Sequence, residues 1–172
     1  HTSHLKGFSI QTMTATYITT GLAGLNLIAA ILAMSLAWVT DGFTSASIWN
    51  TASLLSAAQL NVSKAFLVLS FIAALATLLL SVAALMQKTS WLGAFTGNVA
   101  TAIFALISFA TFVALPTGLS YGAGFVFEIV VIVLGLIGAA VSFQAYRKSS
   151  QANSTAALQG NPGQNNSPEH KV

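Results

Sequence analysis

The stretch KAFLVLSFIAALATLLLSVAALM, Lys64 to Met86, carries a charge at its first position and none after it. A hydrocarbon core about 30 Å thick is crossed by about 20 helical residues rising about 1.5 Å each, which is the length of this run. Three further runs match it, Thr16–Val39, Phe95–Leu115 and Ala123–Tyr146, and Glu128 is the one charged residue in all three. The expected fold is all-α: a transmembrane antiparallel four-helix bundle with a short first extracellular loop.

Composition agrees with this reading. Mean hydropathy is +0.80 and 5% of residues are charged, against about 25% in an ordinary soluble domain. The bundle takes residues 16–146, after a cytoplasmic N-terminal lead at 1–15 and before a cytoplasmic tail at 147–172. The tail is rich in Ser, Asn, Gln, Gly and Pro. It buries too little apolar surface to offset its chain entropy and is expected to be disordered. Residues 1–15 lack the pattern of a cleaved signal peptide, so the first run is expected to remain as a span. The net charge of +3 sits mostly beside the spans, with no basic stripe to track phosphates, so nucleic acid is not an expected partner. The chain has no cysteine, which removes disulfides, thiolate metal sites and cysteine nucleophiles.

The connections set the order of the spans. Gln87-Lys88-Thr89-Ser90 joins the second and third runs in a tight hairpin, and Pro116-Thr117-Gly118 stops the third before Tyr121-Gly122 leads into the fourth. Lys6, Lys88, Arg147, Lys148 and Lys171 fall on one side of the membrane and Lys64 on the other. The positive-inside rule then places both termini in the cytoplasm. The longest connection, 40–63, lies outside. Its Phe43, Ile48, Trp49, Leu54 and Leu55 are too many apolar groups to hang in water. They are expected at the membrane interface or over the outer end of the bundle, and they form the candidate assembly surface.

Polar residues inside the spans are few. An acid at the centre of a span costs roughly 2.5–3.5 kcal/mol on the insertion scale, which the apolar neighbours of Glu128 offset at roughly 0.3–0.6 kcal/mol each. The fourth span therefore inserts whatever Glu128 does. Three roles stay open for it: an interhelical contact, a contact between subunits, or a transport site. Its candidate partners are Asn26 and Tyr17 on the first span, Lys64 on the second, and Ser108 or Thr111 on the third. Histidine occurs only at 1, 4 and 170, outside the spans, which speaks against haem ligation within the bundle. No Ser/His/Asp pairing, HExxH helix or phosphate-cradling glycine loop is present, so neither enzymatic activity nor a cofactor or metal is expected. Small residues are frequent instead, among them Gly21, Gly24, Gly97, Gly135 and Gly138, and in lipid these let helix backbones approach.

The segment Ala57-Ala58-Gln59-Leu60-Asn61-Val62-Ser63-Lys64-Ala65-Phe66 resembles the entry to the second span of the claudin and peripheral-myelin-protein superfamily, with Lys64 at the basic position. Tyr121-Gly122-Ala123-Gly124-Phe125 is similar to the start of the fourth span in amastins, relatives of that superfamily. Trp49 in the longest outer loop adds to the likeness. The chain lacks the paired cysteines of claudins, and its first loop is shorter than the one that builds their extracellular sheet, so no such sheet is expected. The resemblance implies a structural, membrane-organising protein at the plasma membrane that acts through lateral assembly or cell-surface contact. Its partners would be the lipid bilayer and further copies of itself. An accessory subunit packed against neighbouring membrane chains is the alternative, and a small channel or carrier built on Glu128 is the third reading.

Overall fold

A computed structural model of the chain describes residues 2–40, 45–49, 57–114 and 120–159. Among these, four helices and three short strands form in the order α1 (Thr2–Ser35), β1 (Ala37–Thr40), β2 (Ser45–Ser47), α2 (Ala57–Leu85), α3 (Trp91–Val113), β3 (Ser120–Tyr121) and α4 (Ala123–Gln159). Each helix contains a segment long and apolar enough to cross a membrane: Tyr17–Ser35, Ala58–Leu85, Trp91–Val113 and Ala123–Gln151. Neighbours pack in a ring, α1 on α2, α2 on α3, α3 on α4 and α4 back on α1. This is the expected all-α four-helix bundle.

Burial along each helix steps by three and four. On α2 the buried positions are Leu60, Ser63, Leu67, Ser70, Ala74, Thr77, Ser81 and Ala84, and on α3 they include Trp91, Ala94, Asn98, Thr101, Ala105, Ser108 and Phe112. A stripe repeating every 3.5 residues keeps facing its neighbours only if the helices supercoil left-handedly. The stripe is made largely of Ala, Gly, Ser and Thr, while Leu25, Ile28, Leu79, Leu106 and Leu136 point outward and are about half exposed. In water that distribution would be inverted. In lipid, where tails are as apolar as Leu, close backbone approach and dispersion hold helices together and small residues win the interior.

The two ends of the bundle close differently. At one end α2 turns into α3 through a Schellman motif. Gln87 adopts the left-handed conformation (φ 58°), its N–H donates to the Ala84 carbonyl at 3.0 Å, and the Lys88 N–H donates to the Ala83 carbonyl at 2.9 Å. Ser90 then caps α3 by accepting from the Leu92 N–H at 3.2 Å. At the other end a small antiparallel sheet, ordered β2-β1-β3, joins the segment after α1 to the segment before α4. The strands are four, three and two residues long, and the third comes from the other connection, so a hairpin in the first loop is enough to build this small sheet.

Two further boundaries differ from the sequence reading. The first span ends as helix at Ser35, and Trp38 and Val39 belong to β1. The tail is not disordered from 147 onward, because α4 runs through Arg147 and Lys148 to Gln159. Extending an existing helix needs no new nucleus, and Gln151, Ala152, Ala156 and Ala157 are adequate helix formers. The rest of the tail lies outside the described residues. At the N-terminus α1 begins at Thr2, so the polar lead is helical too.

Candidate functional site: polar layers inside the bundle

The buried polar residues fall into layers separated by apolar clusters. Nearest the sheet, Trp38, Ile48, Leu60, Leu67, Phe112 and Phe125 pack together. Trp38 meets the Phe112 ring edge-on at 4.8 Å and Phe125 at 6.1 Å. Mid-bundle, Ala29, Ala30, Ala74, Ala105 and Val131 form a second cluster. Ala84, Trp91, Ala94 and Ala145 form a third at the hairpin end.

Ser108 and Glu128 lie between the first two clusters, and Ser63, flanked on α2 by Leu60 and Leu67 of the first cluster, faces Ser108. The heptad shows why: Phe125 and Val131 flank Glu128 one turn away on α4, and Phe112 and Ala105 flank Ser108 on α3. Ser63 Oγ donates to the Ser108 carbonyl at 2.9 Å, and Ser108 Oγ donates to the Ser63 carbonyl at 3.1 Å. This reciprocal pair locks α2 to α3. Glu128 is fully buried and neither of its carboxyl oxygens has a hydrogen-bond partner. The Ser108 hydroxyl lies beside it and also reaches the Ser63 carbonyl at 3.1 Å, so one hydroxyl hydrogen is shared between the carbonyl and the carboxyl.

A second polar layer sits between the mid-bundle and hairpin-end clusters. Asn98 Nδ2 donates to the Ala94 carbonyl at 2.9 Å and to Ser142 Oγ at 3.3 Å, which ties α3 to α4. The Asn98 carbonyl oxygen has no partner and points at Gly138, where an added Cβ would lie 2.5 Å from it. Gly97 likewise makes room for the Thr77 side chain. Side chain and glycine interlock between α2 and α3 and between α3 and α4, whereas Gly21 and Gly24 on α1, expected to let backbones approach, face open space.

The expected residues are only partly brought together. Asn26 is buried on α1, and neither polar atom of its amide has a partner, so the anticipated Glu128–Asn26 hydrogen bond is not made. Because α1 and α4 run antiparallel, Ala29, Ala30 and Val131 lie between the two. Tyr17 is exposed, and Lys64 Nζ lies 3.5 Å from the Trp49 carbonyl at the sheet end. Thr111 Oγ1 donates to the Ile107 and Ser108 carbonyls of its own helix. Of the five partners considered for Glu128, Ser108 is the one beside it.

The candidate assembly surface is also divided. Ile48 is completely buried in the sheet-end cluster and is removed from any surface: the short hairpin folds it onto the bundle. Trp49 stays partly exposed, with its indole N–H donating to the Met34 carbonyl at 2.8 Å. Phe43, Leu54 and Leu55 lie outside the described residues. The sequence reading missed the roles of Trp38 and Trp49 in ending α1. Trp38 Nε1 donates to the Ala33 carbonyl at 2.6 Å, so two indoles satisfy carbonyls that the end of a helix leaves orphaned. Interfacial tryptophans suggested headgroup anchoring, and nothing local distinguishes an anchor from a cap.

Fold and interior together define a four-span integral membrane protein whose core is packed with small and hydroxyl residues. In comparison with known proteins, no family model and no curated sequence matches the chain.

Proposed function

We propose that this protein is a claudin-like membrane organiser, similar to amastins, that lies in the plasma membrane with both termini in the cytoplasm and acts through lateral assembly or cell-surface contact. The observation that carries this reading is the sheet. By pairing β1 with both β2 and β3, it ties the two connections at one end of the bundle into a single surface, which presents Trp49 and Tyr121 at 41% and 45% exposure. Tyr121 is stacked on Phe125 at 4.2 Å, and Trp49 is held by its bond to Met34. Aromatic groups fixed before contact lose little entropy on binding, which suits them to an interface. The packed aromatic cluster beneath the sheet favours a structural role over a pathway opening at this end.

Native mass measurement after mild detergent extraction tests the proposal. The expected species is a homo-oligomer. Tyr121→Ala, and separately Trp49→Ala, should shift it towards monomer while membrane insertion is unchanged. Trp49→Phe keeps a ring but not the bond to Met34, and so separates loss of contact from loss of the cap. Foreign chains that co-purify in fixed ratio would replace this reading with the accessory-subunit one.

A further inference from the structure

We propose that the Glu128 carboxyl, with the Ser63 and Ser108 hydroxyl oxygens, binds a monovalent cation, either a proton or an alkali ion, inside the bundle near its sheet end. Neither oxygen of the fully buried Glu128 makes a hydrogen bond of good geometry, and the polar group beside it is the Ser108 hydroxyl. That hydroxyl is already shared with Ser63: each serine donates to the other's carbonyl, and the two hydroxyl oxygens lie 3.4 Å apart. A carboxylate in an apolar enclosure with at most one shared hydroxyl to support it calls for positive charge beside it, and the enclosure makes that charge worth far more than in water. Oxygen donors of this kind suit a hard cation.

The described residues bring no such charge to this layer. On α1, His4 and Lys6 stand in the first turns, at the end of the helix away from the sheet, and Tyr17 is exposed; on α4, Tyr146, Arg147 and Lys148 follow Glu128 by several turns, at the hairpin end. On α2 Lys64 reaches towards the Trp49 carbonyl on the exposed side. Neither α3 nor β1 carries a titratable side chain, and Tyr121 of β3 lies against the Phe125 ring. The neutral polar group one turn from Ser108 is Thr111, which donates to carbonyls of its own helix; Asn26 on α1 and Asn98 and Thr101 on α3 are cut off by the mid-bundle cluster. A bound cation here does not make a path, because apolar clusters lie on both sides of the layer. The inference is therefore independent of the assembly reading.

The test is the thermal midpoint of the purified full chain in detergent, followed against pH in choline chloride and against sodium chloride at fixed pH. For a proton site, the wild-type midpoint falls as pH rises and ignores sodium. For an alkali site, it rises with sodium but not with choline. In either case Glu128→Gln, which keeps the side-chain shape but cannot bind the cation as a carboxylate, abolishes the response. Ser108→Ala, which keeps the acid and removes one oxygen, should displace the half-maximal proton or sodium concentration roughly tenfold. Labelling by a membrane-permeant carbodiimide, mapped by mass spectrometry, should find Glu128 as the reactive carboxyl, with sodium protecting it only in the alkali case. A wild-type midpoint that follows neither proton nor sodium, or a Gln variant that tracks wild type, overturns the proposal.

Discussion

Gly138 and Asn98 show how narrowly the interior is fitted. The Asn98 amide is held by Ala94 and Ser142, so it cannot swing away from a methyl group placed 2.5 Å from its oxygen. Gly138→Ala should therefore lower stability by about 1–3 kcal/mol through overpacking, read as the thermal midpoint in detergent. Asn98→Ala also destabilises, since it removes the bond between α3 and α4. The two substitutions together should cost less than their sum, because the second removes the group with which the first collides. Additive effects would mean that the clash is relieved elsewhere. Gly124 poses the same problem with a harder neighbour, the Trp38 ring at 2.5 Å and the Leu36 carbonyl at 2.7 Å. Its small size lets α4 begin directly against β1.

At the scale of elements, the helix ends carry distinct and separable contributions. Gln87 is a non-glycine residue in the left-handed region, a conformation that costs roughly 1–2 kcal/mol for an L-residue with a Cβ. Gln87→Gly removes that cost and adds unfolded-state entropy in return, so a net gain of about 0.5–1 kcal/mol is expected. Ser90→Ala, one turn on, should cost about 1 kcal/mol by orphaning the Leu92 N–H. The two variants lie in one hairpin and should move the thermal midpoint in opposite directions. Equal signs would place the hairpin's stability in tertiary contacts instead of its caps.

For the whole molecule the sharpest expectation concerns orientation. Lys88 follows α2, and Arg147 and Lys148 lie in the last turns of the apolar segment of α4, which ends at Gln151. Those positions share the hairpin end of the bundle, opposite the sheet. Under the positive-inside rule, protease added to intact cells should leave the segment after 147 uncut and should cleave it once the membrane is permeabilised. Cleavage in intact cells would reverse the orientation and put the sheet inside.

The sequence alone determined the four spans and their antiparallel order, since both follow from local quantities: the length of an apolar run and the shortness of a turn. The 3–4 stripe of Leu60, Ser63, Leu67, Ser70, Ala74, Thr77, Ser81 and Ala84 was also present to be read. It is hidden because both faces of the helix are apolar, and the contrast between inside and outside is one of size and hydroxyl content. Tertiary structure decided the rest. The partners of Glu128 depended on which turn of α3 stands opposite it. The sheet depended on pairing Val39 with Tyr121 and Thr40 with Ser120, contacts between segments remote in the chain. Ile48 and Trp49 are adjacent, yet one is core and the other surface, because a hairpin docked on the bundle sends alternate side chains in opposite directions.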